Sequence, residues 1–242
     1  MARDFNGTTS DYLTASSPVI TSIPILSFSI WFYADSVAQY KNIISMEMGS
    51  QDLRMEFDGG WGWVFAYPKG SDACKWSIPT PSTGSWQNLV ITYDSTSDSN
   101  DPSFYIDGVS KTVTERNFPA GSFVTTMSNI RLGGSQTLSQ MWDGRLAEFG
   151  MWNRQLTAAE AAILGKGFSP AFIRNGLTSY APLIGRNSPE NDLRYGSNFT
   201  VTGTSNTAHP RIIYPSNYQL APFAPAAAAN TQQYLTMMGI GS

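Results

Sequence analysis

Short runs of β-branched and aromatic residues recur along the 242-residue chain, and glycine, proline, asparagine, aspartate or serine separates each run from the next. This spacing is typical of many strands joined by turns. It predicts an all-β fold. The sequence predicts strands over residues 12–13, 26–34, 43–48, 53–57, 61–67, 86–93, 103–106, 111–113, 129–132 and 144–152.

Local signals place the turns and a single short helix. Asp107-Gly108 separates two of the strands, and this dipeptide accepts the positive φ angles of a tight hairpin turn. Asp58-Gly59-Gly60 predicts a second hairpin in the same way. Thr157 and Glu160 have the spacing of a capping box, which predicts one helix over about 157–164.

The composition and charge of the chain limit the classes of partner that it is expected to bind. Aromatic residues make up 13% of the chain, which is enough for a substantial core, and the formal net charge is −3 without any basic block. We therefore expect neither nucleic acid nor a membrane as partner. A lone cysteine, Cys74, excludes an internal disulfide. Because no signal peptide is visible, we expect a protein made in the host cytoplasm.

The composition changes after residue 167, where prolines fall close together. Strands are still predicted over 177–183 and 198–203. We expect a compact domain over residues 1–205 and an extended Pro/Ala-rich arm over 206–242. The arm's candidate assembly residues are His209, Arg211, Tyr214, Tyr218, Phe223, Tyr234, Leu235 and Met237.

Five motifs in order support a family resemblance. They are Phe5-Asn-Gly-Thr-Thr-Ser-Asp-Tyr-Leu, Phe28-Ser-Ile-Trp-Phe, Trp86-Gln-Asn-Leu-Val-Ile-Thr-Tyr-Asp, Phe104-Tyr-Ile-Asp-Gly, and Ile130-Arg-Leu-Gly-Gly followed by the segment 142–160. Together they resemble the laminin-G-like branch of the concanavalin A-like lectin/glucanase superfamily. The resemblance covers about residues 1–165 and implies an antiparallel jelly-roll β-sandwich.

Two further similarities concern the end of the chain. Segments 176–183 and 192–203 resemble a stretch that usually precedes the family's opening strand, so the domain is predicted to be circularly permuted, with 177–203 supplying the usual first segment. The order of residues 208–215 after such a stretch is similar to stand-alone bacteriophage proteins. This similarity implies a virion component.

Candidate ligand-binding residues are the aromatic side chains Trp61, Trp63, Tyr67 and Trp76, which lie in one hairpin region. Their alternation fits core filling equally well, so both interpretations stay open. Glu56 and Asp58 begin the carboxylate spacing of the superfamily's glycosidases. The third position falls on Gly60, which lacks the acid, so no catalytic residue is predicted.

Metal binding is the remaining possibility. Asp94, Asp98 and Asp101 crowd one Ser/Asn-rich loop and are candidate calcium ligands, because the family often holds calcium through loop oxygens. The alternative is a solvated loop. His209 is the sole histidine, which excludes a multi-histidine metal site.

These observations lead to three ranked hypotheses. The first is a non-enzymatic virion structural or decoration protein, whose arm grips other virion proteins or copies of itself in an oligomer. The alternative is a carbohydrate-binding module for a host-surface glycan, and a glycan hydrolase ranks last.

Overall fold

The computed structural model describes residues 1–16, 22–37, 40–195 and 197–216. One α-helix, α1, spans Ala158–Gly165, and a 3-10 turn spans Pro170–Phe172. The strands, in chain order, are β1 (Ala2–Asn6), β2 (Tyr12–Ala15), β3 (Ile25–Ala34), β4 (Lys41–Met48), β5 (Gln51–Asp58), β6 (Gly62–Lys69), β7 (Asp72–Ile78), β8 (Trp86–Asp94), β9 (Ser103–Ile106), β10 (Val109–Lys111), β11 (Thr114–Asn117), β12 (Asn129–Leu132), β13 (Asp143–Trp152), β14 (Leu177–Ala181), β15 (Thr200–Thr202) and β16 (Ser205–Thr207).

The strands form two antiparallel sheets of eight strands each, packed as a sandwich. Sheet I has the order β10-β9-β8-β3-β13-β1-β16, and β14 pairs with β13 beside β1. Sheet II has the order β11-β7-β6-β5-β4-β12-β2-β15. The predicted all-β antiparallel sandwich with one short helix is confirmed for the described residues.

Strand β3 lies at the centre of sheet I, as its sequence predicts. Phe28, Ile30 and Phe32 alternate along it and are completely buried against sheet II. Trp31 and Tyr33 point to the other face, where they are half-buried. The strand pairs with β8 on one side and with β13 on the other.

Aromatic rings fill the space between the sheets. Trp63 stacks on Trp142 with ring centroids 5.8 Å apart, and Phe65 stacks on Trp76 at 6.2 Å. The rings in this part of the core meet mostly edge to face or stacked, the arrangements that aromatic pairs prefer. One continuous cluster therefore joins the inner faces of both sheets.

A second hydrophobic cluster covers the outer face of sheet I. Trp152 of β13 and Tyr180 of β14 pack there against Leu164 of α1 and Ala171 of the 3-10 turn. Helix α1 begins with the predicted capping box, in which Thr157 and Glu160 bond each other's backbone N–H. Helix α1 and the 3-10 turn therefore cover this part of the outer face of sheet I, whereas Trp31 and Tyr33 farther along the face stay half-buried.

The sequence missed strands β1, β7, β11 and β16, and it placed β10 two residues late. Strands β11 and β16 are short and polar, and edge pairing with β7 and β1 holds them rather than any hydrophobic pattern. The predicted Asp107-Gly108 turn is present. Both residues have positive φ, 52° and 74°.

The boundary predicted at residue 205 falls inside β16, which pairs with β1. Beyond it, the chain up to residue 216 still runs against the sandwich, because Ile213 exchanges backbone hydrogen bonds with Gly167 and Ser169. The first part of the predicted arm is thus joined to the domain. No helix in the described part of the chain has the length and apolar character needed to cross a lipid bilayer.

Candidate functional site

Strand β5 carries charged side chains on the outer face of sheet II. On β5, Leu53, Met55 and Phe57 point into the core, so the intervening residues 52, 54, 56 and 58 point outward. All four of these are charged. In contrast, β6 contributes small uncharged side chains to the same face, at Val64 and Ala66.

Two grooves lie on this face. The larger has a volume of about 590 Å³ and the smaller about 190 Å³. The larger falls within the range of about 300–1,000 Å³ that is usual for small-molecule sites. The larger is lined by Glu47, Gly49, Ser50, Gln51, Asp52, Arg54, Ser71, Asp72, Ala73, Gln136 and Thr137, and the smaller by Tyr40, Arg54, Glu56, Asp58, Trp61, Val64, Lys75 and Gln140.

Arg54 lines both grooves and separates them. Its Nε lies 3.1 Å from Glu56 Oε2, and the Glu56 side chain is almost completely buried. This ion pair places a cation and a carboxylate of the same strand side by side at the boundary between the two grooves.

The acids of the larger groove have perturbed ionisation. Burial is the main cause that raises the pKa of Asp52, and Arg54 beside it acts in the opposite direction. Glu47 lies directly opposite Asp52 across the β4–β5 ladder and raises the pKa further. The pKa of Asp72 is lowered, chiefly by the backbone N–H of Ala73. The groove therefore offers hydrogen-bond acceptors of different basicity.

Exposed aromatic rings border the smaller groove. Trp61 is 40% exposed and Tyr40 is 45% exposed. The turn after β5 fixes Trp61, because Asp58 Oδ1 accepts hydrogen bonds from the backbone N–H groups of Gly60 and Trp61. The guanidinium of Arg116 lies 5.6 Å from the centroid of the Trp61 ring. A flat ring is thus presented next to carboxylate and amide groups.

Three of the four predicted ligand-binding aromatics do not reach this surface. Trp63, Tyr67 and Trp76 are completely buried and belong to the central core. The prediction is wrong for these three, since alternation on β6 and β7 turns them inward. Trp63, Tyr67 and Trp76 fill the core, as the alternative interpretation predicts. Trp61 alone of the four lies at a groove.

The predicted calcium ligands are not brought together as a metal site. Asp94 accepts hydrogen bonds from Thr96, Asp98 pairs with Lys69 at 2.9 Å, and Asp101 accepts a hydrogen bond from Trp76 Nε1 at 2.7 Å. Across residues 1–16, 22–37, 40–195 and 197–216, no cluster of three or more acidic, histidine or cysteine side chains is placed to hold a metal ion. The loop's acids instead stabilise the loop and the core beneath it.

Three of the eight candidate assembly residues lie in the part of the chain that the structure describes. His209 and Tyr214 contact Glu148 of the sandwich itself, whereas Arg211 is exposed. His209 and Tyr214 are therefore used within the domain. The other five, Tyr218, Phe223, Tyr234, Leu235 and Met237, lie outside the described residues.

Comparison with known families supports the assignment of the fold. A laminin-G type profile, described as the concanavalin A-like lectin/glucanases superfamily, matches residues 6–162. The chain belongs to this superfamily. No curated protein sequence matches it. The resemblance predicted from the five motifs is confirmed, while the similarity to bacteriophage versions of the superfamily stays a prediction.

Solved structures share the superfamily's fold at low identity. A "putative carbohydrate binding protein" from Bacteroides ovatus ATCC 8483 has a TM-score of 0.61 and 18% identity; the match covers 88% of this chain and 62% of that one. The heptameric SAP-like pentraxin from Limulus polyphemus has a TM-score of 0.54 and 16% identity, over 67% and 80% of the two chains. The chain thus spans less than two thirds of the Bacteroides protein.

The sequence analysis missed most residues of the grooves. A strict alternation marks β5, where Asp52, Arg54, Glu56 and Asp58 interrupt a hydrophobic series. This signal could have predicted a polar outer face, as in other sheets with one solvated side. Tyr40 had no comparable signal, since it precedes β4 in an irregular segment.

Proposed function

We propose that the protein binds carbohydrate on the outer face of sheet II. The observation that carries this proposal is the charged outer face of sheet II with the exposed ring of Trp61 at the edge of a groove. Trp61 offers a flat apolar surface for the face of a sugar ring, and Glu56, Lys75 and Gln140 lie around the same groove. Such a mixture of aromatic and convergent polar groups is typical of small-ligand sites.

Charge defines the class of sugar. The linings of the two grooves contain five carboxylates, Glu47, Asp52, Glu56, Asp58 and Asp72, against two cations, Arg54 and Lys75. Carboxylates accept hydrogen bonds from hydroxyl groups but repel sulfate, phosphate and uronate groups. We therefore expect neutral oligosaccharides to bind in preference to anionic ones.

The test is a glycan array followed by calorimetric titration of the neutral sugars that bind. Trp61→Ala should weaken binding about tenfold, which corresponds to about 1.4 kcal/mol. Phe172→Ala is the matched control, because Phe172 is also exposed but lies in the 3-10 turn on the side of sheet I. Absence of binding to any sugar at millimolar concentration would overturn the proposal, and so would equal losses in both variants.

We further propose that the site binds rather than hydrolyses. Asp58 is engaged by the turn, Glu56 is paired with Arg54, and Gly60 supplies no third acid. A hydrolase would need a carboxylic acid free to protonate the leaving group. If any glycan is cleaved, Glu56→Gln decides the matter, because loss of cleavage in that variant would establish catalysis at this groove.

A virion structural role remains a second proposal. It rests on the bacteriophage resemblance and on the arm. Since His209 and Tyr214 contact Glu148 within the domain, assembly would depend on residues 217–242 and on exposed Arg211. Deleting 217–242 should leave a folded domain that no longer joins particles or oligomers. Unchanged oligomer size and particle incorporation after this deletion would contradict the assembly role.

A further inference from the structure

Glu148 is completely buried on the side of the sandwich away from the grooves. It lies in an irregularity of β13, where the register with β3 shifts between Ala147 and Gly150. Its φ is 56°, a left-handed conformation that is uncommon for glutamate. A residue keeps such an unfavourable backbone conformation only when its contacts with the surrounding structure hold it there.

Three side chains surround this carboxyl group. Tyr180 donates its hydroxyl to Oε2 at 2.8 Å, and Tyr214 donates to Oε1 at 2.7 Å. His209 Nε2 lies 3.5 Å from Oε1. Tyr180 belongs to β14, whereas the other two belong to residues 209–214, which we call the C-terminal strap.

The strap is also attached through its backbone. The N–H of Ile213 donates to Gly167 O at 2.8 Å, and the N–H of Ser169 donates to Ile213 O at 3.0 Å. The side chain of Ile213 is 47% exposed, so it adds little burial. At Ile213 the strap is therefore held mainly by its backbone, and at His209 and Tyr214 it is held by the contacts with Glu148.

The surroundings of His209 indicate how many protons the cluster holds. Its Nδ1 lies 2.9 Å from Pro210 O, and its Nε2 lies 3.3 Å from Pro182 O. A neutral imidazole carries a hydrogen on only one of its two nitrogens. If Glu148 is also ionised, the lone pair of the other nitrogen faces an oxygen, either Pro210 O or the buried carboxylate. One proton, on the imidazole or on the carboxyl group, removes this conflict.

We propose that Glu148 and His209 hold one proton between them and act as a latch that keeps the strap docked from mildly acidic to neutral pH. When the strap is released, exposed histidine binds one proton at mildly acidic pH and exposed glutamate binds none. Docked and released states then carry equal numbers of protons, so docking does not change with pH in this range.

The pKa shifts of Glu148 and His209 support the equal proton numbers of the docked and released states. Burial raises the pKa of Glu148 to about 7, and burial lowers the pKa of His209. The amino group of Met1 adds a small lowering at His209. Burial, the largest cause, raises the pKa of Tyr180, so this hydroxyl stays a donor. Below the ordinary pKa of glutamate, the released state gains a second proton and docking weakens.

The test removes one member of the pair at a time in the full chain. Hydrogen–deuterium exchange at the Ile213 and Ser169 amides reports docking, after correction for the intrinsic exchange rate. Wild-type protection should change by less than about threefold between pH 5 and 6, because the proton numbers of the docked and released states match below the ordinary pKa of histidine, about 6.5. His209→Gln should lose protection by up to about tenfold per pH unit between pH 5 and 7, since only Glu148 then titrates.

Glu148→Gln should show the opposite slope, with protection rising with pH up to about 6.5 as His209 alone titrates. Tyr214→Phe is the matched control, because it removes a hydrogen bond but leaves the pair, so its protection should be lower by a constant factor. If Glu148→Gln fails to fold, His209→Gln against wild type decides. Parallel pH profiles in wild type and His209→Gln would overturn the latch.

Discussion

The two outer faces of this sandwich differ in what lies over them. Helix α1, the 3-10 turn and the C-terminal strap cover part of sheet I, and apolar side chains such as Trp152 fill the space beneath them. Sheet II has a bare, charged outer face with two grooves. Glutamate side chains have different roles on the two sheets because the structure around them differs. Glu148 beneath the strap joins an internal network, whereas Glu47 on the outer face of sheet II lines the larger groove.

The comparison is tested most strongly by removing one tryptophan from each face. Trp152→Ala should lower the free energy of unfolding by about 3–5 kcal/mol, since it empties a buried site. It also removes the hydrogen bond from Nε1 to Ile173 O. Trp61→Ala should lower it by less than about 1 kcal/mol, because surface substitutions away from special features cost little. Urea denaturation measures both, and similar losses would contradict the difference between the faces.

A smaller loss of stability is expected when the helix that covers part of sheet I loses its N-terminal cap. Thr157→Ala removes one half of the capping box of α1 and should cost about 1 kcal/mol. Thr137→Ala, in the larger groove of sheet II, is the matched control. Thermal unfolding followed by circular dichroism should show a lower Tm for the first variant only.

The smallest expected effects are on the pH dependence of stability. They have opposite signs for Glu160 beside sheet I and for Asp52 on sheet II. The hydrogen bond from Arg154 is the main cause that lowers the pKa of Glu160 from 4.5 to about 2. Glu160 therefore contributes stability above pH 4.5, and this contribution is lost as the pH falls towards 2. Glu160→Gln should be less stable than wild type at neutral pH and nearly equal to it near pH 2.

On the bare face, burial raises the pKa of Asp52 above 3.8. Its ionisation therefore costs stability as the pH rises from below 3.8 through the raised pKa. Asp52→Asn should be slightly more stable than wild type at neutral pH, by a few tenths of a kcal/mol at about half burial. Denaturation midpoints across pH 2–7 compare both variants, and a shared sign would contradict the assigned causes.

The sequence predicted the elements that local patterns define. Alternation of Phe28, Ile30 and Phe32 placed β3 correctly, and Asp107-Gly108 and the Thr157–Glu160 cap placed a turn and the helix. It could not place β11 and β16, because tertiary pairing alone orders such short polar segments. Secondary structure of this kind carries no local signal.

The functional residues were harder to predict, for a related reason. Trp61 and Trp63 have similar sequence surroundings, yet the turn exposes the first and strand alternation buries the second. Glu148 gave no signal because its network joins β13, β14 and the strap, residues far apart in the chain. Asp94, Asp98 and Asp101 cluster in sequence, but their partners in space differ.

The pairing of β16 with β1 also determines how the domain would respond to mechanical tension. Ala2 lies opposite Thr207, so the start of one strand and the end of the other meet at the same corner of sheet I. A pulling force applied at these two residues would open their hydrogen bonds one after another rather than load them all at once. Tension from beyond Ser216 would reach the C-terminal strap first, and the contacts of Glu148 would resist it before the sheet does.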